Sequence, residues 1–368
     1  MDKKVPFVNF KRHWEKYGKE FMGVVEDRLS RGELILRQDV LDFEKNIAEL
    51  VGTKHARGVN SGFDALHLSL RALEIGPGDE VITVDHTFVA SIAAIHFAEA
   101  KPVLIDVGDD FNMNVSQIES VITSKTKAIM PIHLNGRMCD METIMRIAKS
   151  KGLAVIEDAA QALGAKFNGK IAGSFGEAGC FSHYPFKALG ALGEAGAVTT
   201  NSAEIDEKIL LLRYHGIARD EARTQKMFGF NAVLDNLQAA ILNAKLKHYN
   251  EWISRRLEIA EKYREGLGEI KDLRLPHFDD KRYFDVYQNY AIRSDKRDEL
   301  QKYLESNGIE TQIKWPVPNY SYDWYPYEQK PLPNTEKICR EVLSLPMYPE
   351  LTNEEISYVI EKINEFYL

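Results

Sequence analysis

Cysteine is scarce in this chain. Only Cys139, Cys180 and Cys339 occur in 368 residues, with neither the spacing of a disulfide framework nor that of a metal knuckle. A disulfide-stapled secreted fold is therefore excluded, a reducing cytoplasmic setting is expected, and Cys180 in Gly179-Cys180-Phe181 reads as a small buried hydrophobe. No apolar run is long enough to span a bilayer, and Met1-Asp2-Lys3-Lys4-Val5-Pro6-Phe7 lacks the apolar core of a signal peptide. Basic charge is also in short supply. With 47 Lys+Arg against 55 Asp+Glu the formal charge is -8, and no basic block is interleaved with aromatics, so nucleic acid is not an expected partner. The histidines show no metal-site spacing, so no metal is expected. Linkers, tails and internal repeats are missing too, which leaves no room for an extra module. We expect residues 1–240 to form a large α/β domain with an N-terminal segment, and residues 241–368 a bridging helix and a small α+β domain.

What is present is alternation. From about residue 60 to 240, short apolar runs alternate with amphipathic stretches, the pattern of βα units around a buried, mostly parallel sheet. Residues 81–84, 102–106, 128–132, 153–156, 179–182 and 196–199 read as strands, and 141–148 as a helix stopped by Gly152. The spacing predicts one long helix over 236–267. Beyond it we expect a strand at 287–292, a helix at 297–306, a strand at 310–314 and a closing helix at 353–366.

Two residues stand out chemically. Lys187, in Phe181-Ser182-His183-Tyr184-Pro185-Phe186-Lys187-Ala188-Leu189-Gly190, offers an amine that can condense with an aldehyde. Asp158, in Glu157-Asp158-Ala159-Ala160-Gln161, ends a predicted strand and offers a carboxylate that can hold a pyridine nitrogen protonated. Each alone has an ordinary reading, Lys187 as a solvated charge and Asp158 as a helix cap. Ser61-Gly62-Phe63-Asp64 opens an amphipathic helix whose free N–H groups suit a phosphate, although Ser61 and Asp64 serve equally as a capping pair. Phe88 follows the strand at 81–84, at the sheet edge where ligands bind, as a stacking ring or as a core residue. Gln161 lies one turn after Asp158, and Ser182 ends another strand. His86 and His215 read on their own as hydrogen-bonded histidines.

Taken in order, Ser61-Gly62-x-Asp64-Ala65-Leu66-His67, Thr87-Phe88, Glu157-Asp158-Ala159-Ala160-Gln161 and Phe181-Ser182…Lys187…Gly193-Glu194-Ala195-Gly196 resemble the DegT/DnrJ/StrS family of sugar aminotransferases. The resemblance extends over nearly the whole chain, through Gly229-Phe230-Asn231 and Leu345-Pro346-Met347-Tyr348-Pro349. It implies the pyridoxal-phosphate-dependent transferase fold of type I, with a large α/β domain and a smaller C-terminal α+β domain. It also implies pyridoxal 5'-phosphate (PLP) as cofactor, L-glutamate as amino donor, a nucleotide-linked keto sugar as acceptor, and a homodimer with shared active sites.

By the same resemblance Lys187 is the residue that condenses with the cofactor aldehyde and shuttles the proton. Asp158 pairs with the ring nitrogen, Phe88 stacks on the ring, and Gln161 lies on its phenolic side. Gly62 and Phe63 through backbone N–H groups, with Ser182, hold the phosphate, and Asn231 reaches the phosphate of the partner subunit. His86, Tyr184, His215, Lys314, Trp315 and Tyr320 are the implied substrate contacts. Departures from the family pattern fall at Phe63, Ala188, Val233, Asn135, Arg137 and Lys314-Trp315-Pro316-Val317-Pro318-Asn319-Tyr320. None strikes Lys187 or Asp158. The surroundings of Tyr184 and Lys187 look like members acting on 3-keto sugars, with 4-keto sugars and cyclitol ketones as the alternatives. The product then belongs to a surface glycan such as lipopolysaccharide O-antigen, or to an antibiotic. A non-catalytic regulator on this fold would show an eroded Lys or Asp, and neither is eroded here.

Overall fold

In the computed structural model, which describes residues 4–218, 220–276 and 279–368, the apolar runs become strands four or five residues long. These are β1 (His55–Val59), β2 (Glu80–Val84), β3 (Lys101–Ile105), β4 (Thr126–Ile129), β5 (Ala154–Asp158), β6 (Ala178–Ser182) and β7 (Gly196–Thr200). They form one seven-stranded sheet in the order β1-β7-β6-β5-β4-β2-β3. Neighbours pair in parallel except β7, which runs antiparallel to β1 and β6. Side chains alternate between faces with period two. Ile82, Ile129 and Val155 pack with helices Gln38–Val51, Met141–Lys151 and Asn236–Leu246, while Val81, Ala128 and Ile156 pack with helices Gly62–Ala72, Ala90–Phe97 and Ala203–Leu212. Both faces are thus covered, which is why the strands read as continuous apolar runs. The α/β fold class expected from the sequence is the one observed.

Parallel pairing has a direct consequence for the site. It brings the carboxyl ends of β2, β4, β5 and β6 to one edge, and with them the segments carrying Phe88, His133, Asp158 and Ser182. The N-terminal helix Gln38–Val51 supports this edge from below. Its buried Glu44 accepts hydrogen bonds from the Gly58 amide of β1, from Arg57 and from the fully buried Arg213.

Two expectations are corrected. The stretch 236–267 forms two helices, Asn236–Leu246 and Tyr249–Leu267. The break falls where His248 bonds Glu20 at 2.9 Å and the Tyr249 hydroxyl donates to the Leu163 carbonyl at 2.7 Å, so anchors on different elements outrank helical propensity. Residues 310–314 form no strand. Ile309 bridges Val5 and Gln312 bridges Ser344 as isolated pairs, and Pro316 and Pro318 cannot extend a ladder. The second sheet instead comprises Leu273–Arg274, Tyr290–Ser294 and Val342–Leu345. Its core takes in Val5 from the chain's start and helix Asn353–Tyr367, whose first turn is closed by a Thr352/Glu355 capping box.

Candidate active site

A cavity of about 500 Å³ opens at the carboxyl edge of the sheet. Gly62, Phe63, Phe88, Asp158, Gln161, Ser182, Tyr184, Lys187, Lys314 and Trp315 all line it. One wall is the start of helix Gly62–Ala72. Ser61 is its N-cap, accepting from the Asp64 amide at 3.1 Å and donating to the Asp64 carboxylate at 2.9 Å, so the capping reading holds and the helix terminus faces the cavity as well. Gly62 backs directly onto the end of β6. A Cβ there would lie 2.7 Å from the Ser182 Cβ, a separation only glycine tolerates. Phe88 is 61% exposed and so is not a core residue; its ring stands free at the cavity wall.

Asp158 is fixed rather than solvated. Its Oδ2 accepts a 2.7 Å hydrogen bond from the buried Ser91 hydroxyl and its Oδ1 accepts from the Ala160 amide at 3.2 Å. Lys187 sits in a turn clamped from outside, with Gln288 accepting from the Ala188 amide at 2.7 Å and donating to the Phe186 carbonyl at 2.9 Å. Gly190 completes this turn, where a Cβ would lie 2.5 Å from the Pro185 carbonyl oxygen. Burial around the Lys187 amine disfavours its charge and pulls its pKa below the ordinary lysine range, while Asp158 opposes that shift. A lysine so placed has part of its population as free amine, the form that attacks a carbonyl.

A polar relay runs along the opposite wall. Gln161 Oε1 accepts from the Asn135 amide at 2.8 Å and from Asn289 Nδ2 at 3.2 Å, which leaves its own NH2 group for a cavity ligand. Asn289 Oδ1 in turn accepts from Lys314 Nζ. Burial, with Lys187 and Arg256 nearby, pushes the Lys314 amine down to about 7.

Other implied contacts lie elsewhere. His86 is 1% exposed and sits behind Trp315, its ring 5.4 Å from the indole, so it supports that side chain and does not reach the cavity; burial pushes its pKa down to about 3. Tyr320 turns away to Glu336, donating at 2.7 Å, while its amide is held by Asp85. His215 and Asn231 do not line the cavity; Tyr214 bridges Asn231, and Phe228 close by is 97% exposed. Ser91, Glu194, Gln288 and Asn289 belong to the site or its support and were given no role from sequence, and Asn135 was named there only as a departure from the family pattern. Ser91 lay within reach, one helical turn after Phe88 on the same strand-to-helix connection. Gln288 and Asn289 come from more than a hundred residues away and carry no local signal.

A mostly parallel α/β sheet whose edge sets a half-buried lysine in one cavity with a fixed carboxylate defines the chain as an enzyme of the transaminase class. The profile of the DegT/DnrJ/EryC1/StrS aminotransferase family matches residues 15–364, and the chain belongs to that family, whose cofactor is pyridoxal phosphate. It is 43% identical to a Geobacillus stearothermophilus protein named pleiotropic regulatory protein, over 99% of this chain and 98% of that one. It is 42% identical to the dTDP-3-amino-3,6-dideoxy-alpha-D-galactopyranose transaminase of Aneurinibacillus thermoaerophilus, over 98% and 99% of the two chains. Among solved structures it is similar to S. venezuelae DesV in complex with a ketimine intermediate, with a TM-score of 0.95 and 36% identity over 100% of this chain and 99% of that one.

Proposed function

We propose that the chain moves an amino group from L-glutamate onto the C3 keto group of a nucleotide-linked 6-deoxyhexose, working as a homodimer. The observation that carries this reading is the shared cavity of Lys187 and Asp158, together with the 3-amino sugar named for the Aneurinibacillus relative. The residues present suit the cofactor. The Gly62–Ser182 approach leaves a helix terminus free of side chain for a phosphate, Phe88 offers an unburied ring face, and Asp158 is held by Ser91 for a pyridine nitrogen. Bound there, the cofactor supplies an electron sink and carries the amino group between the two half-reactions.

The chain's own groups do the rest. With the cofactor bound, Asp158 would hold a proton on its ring nitrogen, and the Lys187 amine would take and return the proton at the amine-bearing carbon. Gln161, with its NH2 group free, would donate to the bound group. Tyr184 and Trp315 supply apolar walls for the sugar. Residues 227–231 are assigned to the dimer contact, because Met227, Phe228 and Phe230 stand exposed there beside Asn231. The regulatory name of the Geobacillus relative does not displace this reading, since a regulator has no need of an intact lysine and carboxylate in one cavity.

The test is direct. Purified protein with cofactor should show a visible absorbance band that L-glutamate discharges, and it should then aminate a 3-keto nucleotide sugar. Lys187→Ala should lose both activities while keeping its fold. Turnover by that variant would sink the lysine assignment, amination of only 4-keto sugars would move the reaction to C4, and failure to bind the cofactor would favour the regulator.

A further inference from the structure

Building on the aminotransferase reading, we propose that Lys314 is the receptor for a carboxylate on one of the two reactants, either the amino donor or an acidic sugar acceptor. The geometry leaves this side chain with no other partner of that kind. An ammonium has three donors, and among the described residues Lys314 Nζ has one hydrogen-bond acceptor, Asn289 Oδ1, and no carboxylate within 4 Å. Asn289 cannot turn to offer anything else. Its amide nitrogen is committed to Asn135 Oδ1 at 2.9 Å and to Gln161 Oε1, so its oxygen must face the lysine.

The charges around Lys314 deepen the deficit. Lys187 shares the front cavity with it, and a second cavity of about 80 Å³ behind is lined by His13, Lys187, Lys245, Arg256, Lys314 and Glu350. The nearby carboxylates are engaged or exposed: Asp158 by Ser91 and Ala160, Glu350 by His13 at 2.7 Å, and Glu194 at the open side. Among the described residues Arg256 donates to the carbonyls of Tyr287, Gln288 and Met347, and its Nε has no partner there. A half-buried amine among cations either gives up its proton or holds it against an anion from outside. The front cavity, at about 500 Å³ against about 80 Å³, is much the roomier of the two and holds Lys187, so the anion is assigned to the front.

The pKa of about 7 makes the charge conditional. Above that pH the free side chain is neutral, and a carboxylate must draw a proton to it on binding. Of the groups around it, Lys187 and Arg256 oppose that proton; Lys245 and Glu350 line the rear cavity with it, Asp158 the front one, and His13 is tied to Glu350.

Calorimetry of the holoenzyme with glutarate, a dicarboxylate that cannot transaminate, tests the donor arm. Proton uptake is read from the dependence on buffer. If the carboxylate is the donor's, glutarate affinity falls about tenfold per pH unit above 7 with uptake of a proton, and Lys314→Met removes the uptake and weakens binding at pH 7 by at least about tenfold. Lys314→Arg restores binding without the pH dependence, and Lys314→Gln serves if the Met variant does not fold. If the carboxylate is the acceptor's, the Met variant binds glutarate normally but loses the preference of the wild type for UDP-glucuronate over UDP-glucose. Unchanged binding of both glutarate and UDP-glucuronate overturns the proposal. So does an equal loss of pyridoxal phosphate affinity in the Met variant, which would assign the amine to the cofactor. Wild-type protein that binds glutarate with proton uptake yet is never discharged by L-glutamate refutes the aminotransferase reading and leaves the Lys314 site standing.

Discussion

Substituting Gly62 by alanine adds a single methyl group where the structure has no room for it. The new Cβ would lie 2.7 Å from Ser182 Cβ and 3.2 Å from both Ser182 Cα and Oγ, against an ordinary contact beginning near 3.4 Å. Because backbone and Cβ form the obstacle, no rotamer relieves it. The helix start or the end of β6 must move by about 0.7 Å. Overpacking of this size costs roughly 1–3 kcal/mol of stability. The larger effect falls on the ligand. A helix terminus displaced by that much misaims its N–H groups, and each charge-assisted hydrogen bond lost is worth about 1.5–3 kcal/mol, or roughly 10–100-fold in cofactor affinity. The assay is a pyridoxal phosphate titration alongside urea unfolding. Gly23→Ala is the control, since a Cβ there meets nothing within 4 Å in helix Phe10–Ser30 and should stabilise by about 1 kcal/mol without touching affinity. Cofactor affinity within twofold of wild type in Gly62→Ala would refute the placing of the phosphate at this terminus.

Ser91→Ala removes the 2.7 Å hydrogen bond to Asp158 and should lower kcat by about 10–100-fold with little change in unfolding midpoint, which steady-state kinetics would check. Glu44→Gln should do the reverse. It strands the buried Arg213 and should cost roughly 3–5 kcal/mol in urea unfolding while kcat per folded molecule stays put, since Glu44 does not line the cavity. His86 is held near pKa 3 in the folded chain against about 6.5 unfolded. The unfolded state therefore binds the extra proton, and stability present above pH 6.5 is lost as pH falls towards 3, by about 1.4 kcal/mol per unit. Asp85, raised to about 6 by burial, works in the opposite sense between about pH 4 and 6. His86→Phe should remove the histidine's share, and an unaltered difference in midpoint between pH 7 and pH 5 would refute it.

Lys187, Asp158, Gly62, Ser182, Phe88 and Gln161 could be picked out from sequence because each sits at a strand end, in the loop that follows one, or at a helix start, where local pattern and chemistry coincide, and the structure brings all six to one cavity. His86, His215 and Tyr320 could not be sorted the same way. Whether a side chain faces a cavity or packs behind it depends on neighbours distant in the chain, such as Trp315 for His86 and Glu336 for Tyr320. The single helix expected at 236–267 failed for a related reason: nothing in its own spacing records that His248 is tied to Glu20.

The amino-acid sequence by itself determined the α/β class and the parallel core and picked out two candidate reactive groups, because period, burial and functional-group chemistry are local properties. Only the tertiary structure decided which groups share a cavity, that Ser91 holds Asp158, that Gln288 clamps the Lys187 turn, and that Lys314, among the described residues, stands near Lys187 and Arg256 with no acid in hydrogen-bond contact. Hydrogen bonds and charges act through space, so contacts between residues 25 to 100 positions apart leave no periodic trace in either segment.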